Sequence, residues 1–245
     1  MEIAPLRVLI FDNNREPPSF GSSNLVHWVL KTTPPGTEVI VRRPPHADLP
    51  QREGFDAVVL SGSITSCLEE QEPWIAPYDQ WVTEQIQKGT PLLGICYGHQ
   101  TLARCLNKMY GKVPQLRKSE HPELGWVKIN FEARSVLWTG LTDGFYTYES
   151  HYEEVSELPP RSKHIASSER CLIQGFEGVD RPYFGVQFHP EYFVEEAERS
   201  LSEKLKKGIQ KDWILNPGKG QALYDEKVPL QLINNFFALA QEHKR

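Results

Sequence analysis

Residues 91–100 read Pro91-Leu92-Leu93-Gly94-Ile95-Cys96-Tyr97-Gly98-His99-Gln100. The apolar start predicts a short buried strand, and the Gly-x-Cys-x-Gly that follows predicts a sharp strand-to-helix corner with cysteine at its tip. Glycines suit the flanks of such a corner because side chains there would clash. A helix beginning at about Gly98 points its positive end at the sulfur, which favours the thiolate that attacks electrophiles. Cys96 is therefore the candidate nucleophile.

Working outward, Arg7 to Phe11 and Glu38 to Val41 read as strands on either side of a helix from about Ser22 to Lys31, where Leu25, Val26, Val29 and Leu30 share a face. That is a βαβ unit. Ala57 to Leu60 is a further buried strand ending in Ser61-Gly62-Ser63, and a helix from about Ile75 to Lys88 leads through Gly89 to the elbow strand. From Gly125 onward the runs shorten: Trp126 to Phe131, Phe145 to Glu149, His164 to Ser167, Leu172 to Phe176 and Tyr183 to Phe188, with turns at Pro159-Pro160 and Gly175 to Pro182. The tail from Tyr192 returns to helix at about Glu195 to Lys211 and Leu230 to Gln241, separated by a loop at Asn216 to Gly220. The expected fold is α/β and doubly wound, with a mostly parallel central sheet flanked by helices, a smaller antiparallel portion and a helical C-terminal extension. One domain is expected over 1–245, with a core of about 7–191 and an extension of about 192–245.

Composition narrows the function classes. The chain has 245 residues, 39% of them apolar, and a net charge of −5. It can bury a substantial core, but has no broad basic field for a nucleic-acid backbone. The longest apolar stretch near the start, Val8 to Phe11, is too short for a signal peptide or a membrane span. The four cysteines, 67, 96, 105 and 171, lack paired spacing, so reduced thiols and a cytoplasmic setting are expected. Neither nucleic acid nor membrane is an expected partner.

A cysteine nucleophile needs a base, and the base needs an orienting acceptor. Gly185-Val186-Gln187-Phe188-His189-Pro190-Glu191 supplies both, since side chains two apart leave an extended chain on the same side. Pro190 stiffens that piece of backbone. Donors for a developing oxyanion are expected from the Tyr97 amide, next to the nucleophile, and from the Gly62 or Ser63 amide at the neighbouring strand end. Cys67, Cys105 and Cys171 have neither base nor elbow and read as structural. Cys96 and His99 are too few ligands for a metal site. No metal or cofactor is expected. Mixed-sign charges at helical spacing from Glu195 to Lys211 read as a solvated helix face, and Trp74, Tyr78 and Trp81 as a packing stripe.

Taken in order, Leu60 to Ser63, Gly94 to Gln100, Glu149-Ser150-His151 and Gly185 to Glu191 resemble the landmarks of class I, triad-type glutamine amidotransferases over roughly Arg7 to Glu191. Glu123 to Trp126, and Ser150-His151 followed by Glu157 to Pro160, are most similar in pattern to the amidotransferase domain of GMP synthases. The resemblance implies that Cys96 attacks the γ-carboxamide of glutamine, that His189 protonates the departing ammonia, and that water cleaves the γ-glutamyl thioester. It also implies that Gln100 and the Ser150-His151 backbone, on a substrate-side loop, hold the glutamine. The implied partner is a separate synthase or synthetase subunit that receives the ammonia. Two other readings use the same residues: a free-standing γ-glutamyl peptidase acting on conjugates, and a catalytically idle regulatory subunit. The roughly fifty residues after Glu191 depart from the family's usual short closing helix.

Overall fold

The structure, a computed structural model, describes residues 4–16, 20–51, 54–142 and 144–244. Residues 1–3 and 245 of the expected single domain lie outside them. In chain order the elements are β1 (Arg7–Phe11), α1 (Phe20–Thr32), β2 (Glu38–Arg42), β3 (Ala57–Leu60), α2 (Ile75–Lys88), β4 (Leu92–Ile95), α3 (Tyr97–Met109) and β5 (Leu116–Phe131). There follow β6 (Phe145–Val155), β7 (Ser162–Ser167), β8 (Gly175–Gly178), β9 (Tyr183–Val186), α4 (Val194–Lys206), β10 (Ile214–Leu215), α5 (Gly220–Leu223) and α6 (Lys227–Lys244).

The strands join in the order β10-β5-β7-β8-β9-β4-β3-β1-β2, with β6 paired to β5. From β2 through β1, β3 and β4 to β9 all pairing is parallel. From β9 through β8 and β7 to β5 it is antiparallel. This is the expected α/β fold. The parallel strands are apolar along their length because both faces of the sheet are covered. Alternation along β1 shows the sorting: Val8 and Ile10 pack with Leu25, Trp28, Phe236 and Phe237 of α1 and α6. Leu9 and Phe11 face Tyr78 and Val82 of α2 in a second core that also takes Leu102 and Leu106 of α3. A buried ion pair pins α2 to α3, with two nitrogens of the Arg104 fork engaged: Nε donates to Asp79 Oδ2 at 2.8 Å and Nη2 to Oδ1 at 2.7 Å.

Several elements depart from the expected ones. On α1 the buried stripe runs through Leu25, Trp28 and Val29, while Leu30 is 59% exposed and faces away from the core. Strand β5 begins ten residues before the expected Trp126, through a charged segment with no apolar alternation; its pairing with β6 shifts register between Lys118 and Glu123. Strand β8 starts at Gly175 rather than Leu172, so residues expected to form a turn form the strand. Gly-Phe-Glu-Gly carries little strand signal; a cross-strand pair, Lys163 Nζ to Glu177 Oε1 at 2.5 Å, helps hold it to β7. Glu149, Ser150 and His151 lie within strand β6, paired to β5, and not on a loop.

The tail folds back onto the body. β10 pairs with Leu124 and Gly125 of β5. Helix α4 lays Val194 and Ala197 against Trp126 and Tyr148, and α6 completes the core beneath β1 and β3. Among the described residues no helix is long and apolar enough to cross a membrane.

Candidate active site

The C-terminal ends of three adjacent strands, β3, β4 and β9, converge on one cavity, the place where open parallel sheets bind ligands. At the end of β4 the chain turns into α3 through Cys96, whose backbone is held at φ 50° and ψ −104°. A non-glycine residue there costs ~1–3 kcal/mol, which the surroundings must offset. The corner is closed by contact. A Cβ on Gly94 would lie 2.4 Å from the Gly98 carbonyl oxygen, and a Cβ on Gly98 would lie 2.2 Å from that of Leu60. The Cys96 amide donates to Val186 O of β9 at 2.8 Å, and its carbonyl accepts from Gln100 N at 3.0 Å, so both sides of the nucleophile are fixed. Helix α3 opens at Tyr97, and the first amides of a helix have no partner within it.

His189 is positioned from β6: its amide donates to Tyr148 O at 2.9 Å. Its Nδ1 lies 2.8 Å from Glu191 Oε1. Trp28 of α1 holds the Glu191 carbonyl from below through its indole N–H at 3.2 Å. Burial alone would disfavour an imidazolium, but the Glu191 carboxylate and the facing Cys96 sulfur outweigh it and hold His189 well above the usual histidine range. Against this pair lies the turn after β3: a Cβ on Gly62 would lie 2.8 Å from His189 Cε1 and 3.5 Å from Cys96 Cβ. Only a glycine lets the backbone come so near the His189 ring.

The cavity has a volume of about 420 Å³, and its walls include Gly62, Ser63, Cys96, Gln100, Ser150, His151, His189 and Glu191. The structure thus gathers into one wall every residue expected to form the site except Tyr97, whose side chain is buried and whose amide opens the helix behind the sulfur. Gln100 turns its carboxamide nitrogen to Glu153 O at 2.8 Å and Gln187 Oε1 at 3.1 Å.

A family model for class-I glutamine amidotransferases matches residues 21–207. The chain belongs to this family. A GMP synthase (glutamine-hydrolysing) subunit of Ignicoccus hospitalis is 36% identical over 159 residues, 64% of this chain and 77% of that one. GMP synthase (glutamine-hydrolysing) of Burkholderia mallei is 36% identical over 170 residues, 64% of this chain but only 29% of its own length. Among solved structures, a glutamine amidotransferase of Thermotoga maritima aligns with a TM-score of 0.75 at 22% identity, covering 98% of this chain and 99% of that one. One from Methylobacillus flagellatus aligns with a TM-score of 0.73 at 22% identity, covering 98% and 94%. These two likenesses show the fold.

Beneath this amidotransferase cavity lies a buried polar group that the spacing of the motifs does not reveal. Glu123, Glu149 and His151 each place a potential ligand atom within 4.8 Å of the others, the donor types that could hold a cation. Glu123 accepts from Ser168 Oγ at 2.8 Å and from Gln174 Nε2 at 2.7 Å, and lies 3.2 Å from His151 Nε2. Glu149 is fully enclosed, and neither of its oxygens has a hydrogen-bond partner among the described residues. Burial first, and then the Glu123 charge, push its carboxyl well above the usual range. His99, also fully buried, is lowered to about 3 by desolvation and is neutral. The other three cysteines are free and buried, and burial raises each thiol.

Two further cavity residues come from the tail helix, Ser200 and Lys204 of α4. Sequence alone assigns them to a solvated face. The i, i+4 spacing that marks them as neighbours also fits any surface helix. Glu198 of the same helix is likewise engaged, accepting from Trp126 Nε1 at 2.9 Å and Gly220 N at 2.8 Å, and Glu196 accepts from Asn24 Nδ2.

Proposed function

We propose that Cys96, His189 and Glu191 form a catalytic triad that hydrolyses the γ-carboxamide of glutamine and supplies ammonia to a separate synthase. The observation that carries this reading is the juxtaposition of an elbow cysteine, a carboxylate-held histidine and a glycine turn in one cavity of an amidotransferase fold. Cys96 Sγ gives its proton to His189 and bonds to the carboxamide carbon as the carbonyl π electrons move to oxygen, which takes hydrogen bonds from the Tyr97 amide and the Gly62 or Ser63 amide. Collapse of the intermediate breaks the C–N bond, and the nitrogen leaves as ammonia with the proton held on His189. Water then adds to the thioester carbonyl, giving its proton to His189. Glutamate departs, and the proton returns to the sulfur.

Gln100 and the Ser150-His151 backbone are proposed to position the glutamine. The separate glutamine-hydrolysing subunit named among the relatives supports an acceptor on another chain. We also read 1–245 as one domain, supported by β10 and α6, which join the sheet and core of the amidotransferase body.

The test is glutamate release from glutamine and from a panel of γ-glutamyl amides. Wild-type chain is expected to release glutamate, and Cys96→Ala is expected to lower the rate ~10³-fold or more, as loss of a nucleophile does elsewhere. Release that persists in the alanine variant overturns the triad. Faster turnover of γ-glutamyl conjugates than of glutamine shifts the reading to a peptidase.

A further inference from the structure

Helix α4 brings an ammonium group into the wall of the cavity. Ser200 and Lys204 sit one turn apart, and both line the space that Cys96 and His189 line. Lys204 is partly buried, and its nearest aromatic partner is the Tyr152 ring, 6.0 Å from Nζ. No carboxylate among the described residues forms an ion pair with it, although α4 is rich in glutamate. On the helix itself Glu198 is engaged with Trp126 and Gly220 and Glu196 with Asn24, while Glu203, the residue before Lys204, is exposed to solvent. Of the three carboxylates that line the cavity, Glu153 accepts from Ser66 Oγ at 2.5 Å and Cys67 N at 2.7 Å, Glu191 is held by His189, and Glu16 is exposed to solvent. Ser200 Oγ accepts the Tyr148 hydroxyl at 3.0 Å, which leaves its own proton to donate.

A lysine drawn partly out of water with no ion-pair partner loses hydration that the charges of Cys96 and Glu203 offset only in part, and an anion entering the cavity would restore it. Desolvation accordingly lowers the Lys204 pKa. Resting on the function proposed above, we infer that Lys204 and Ser200 form a subsite for a carboxylate of the substrate. The carboxylate is either the α-carboxylate of the γ-glutamyl group or that of an amino acid leaving through the scissile amide. Both would reach Lys204 as a single negative charge presented from the Cys96 side of the cavity.

The experiment is steady-state glutamate release by wild type, Lys204→Ala and Lys204→Arg on two pairs of substrates. The first pair is glutamine and its α-carboxamide analogue. The second is γ-glutamyl-glycine and γ-glutamyl-methylamide. An α-carboxylate subsite predicts that Lys204→Ala raises KM for glutamine ~10-fold or more, in keeping with the loss of one hydrogen-bonded charge contact. For the α-carboxamide analogue the same change is expected to move KM by less than about twofold, and Lys204→Arg to recover most of the loss. A leaving-group subsite predicts a selective loss on γ-glutamyl-glycine, with glutamine and the methylamide affected alike. Equal effects within both pairs, or no effect, overturn the subsite while leaving the triad standing. Absence of Cys96-dependent release from all four compounds removes the parent function and the subsite with it.

Discussion

The proposed base and its acceptor, His189 and Glu191, stand two residues apart, so their proximity was legible in backbone stereochemistry, whereas their approach to Cys96 was an expectation from what a thiol nucleophile needs and from the family resemblance. The buried acids were harder to see, because Glu123 and Glu149 reach each other only through the β5–β6 pairing. Lys204 was harder still, since a lysine in a mixed-charge helix looks the same whether it faces water or a cavity. Glu149 makes a testable claim at this scale. Its pKa is raised in the fold, so the folded chain binds a proton that the unfolded chain gives up, and stability falls as pH rises from the ordinary carboxyl value of 4.5 towards the folded one. Glu149→Gln removes that proton linkage. Its melting temperature relative to wild type is expected to rise from about pH 5 to about pH 8, measured by calorimetry, and a difference that stays flat over that range would contradict the assignment.

At the scale of elements, the strands and helices with clean periodicity were legible, and those held by partners were not. β1, β3 and α2 follow the pattern of apolar residues, because burial on both faces of a parallel sheet leaves few alternatives. The first half of β5 and all of β8 are strands through pairing, with Gly-Phe-Glu-Gly adopting the extended form its neighbours impose. The β4–α3 corner is the element on which the site depends. Gly98→Ala would place a methyl group 2.2 Å from the Leu60 carbonyl oxygen and 2.7 Å from Leu60 Cβ, neither of which can yield without moving β3. The variant is expected to lose ~1–3 kcal/mol or more of stability in urea titration and to lose Cys96 reactivity with it. Wild-type stability with undiminished reactivity would show that the corner is looser than the contacts indicate.

For the molecule as a whole, the tail is where sequence and structure part most. The motifs that carry the family resemblance end at Glu191, whereas the family model runs on to residue 207 and takes in α4; α4 supplies part of the cavity wall, β10 extends the sheet and α6 buries Leu232, Phe236 and Phe237 in the core beneath β1. The extension is thus part of the body that shapes the site, and a charged helix was misleading because one of its faces serves packing and the cavity. The fold places four cysteines inside, but only one at a helix N-terminus beside a histidine raised by its neighbours. The central claim is that this cysteine alone attacks a γ-glutamyl carbonyl, and the most direct measurement is peptide mapping by mass spectrometry after treatment with an electrophilic glutamine analogue. One equivalent of label on Cys96, prevented by excess glutamine, is the predicted result; label on Cys67, Cys105 or Cys171 with Cys96 unmodified would contradict it.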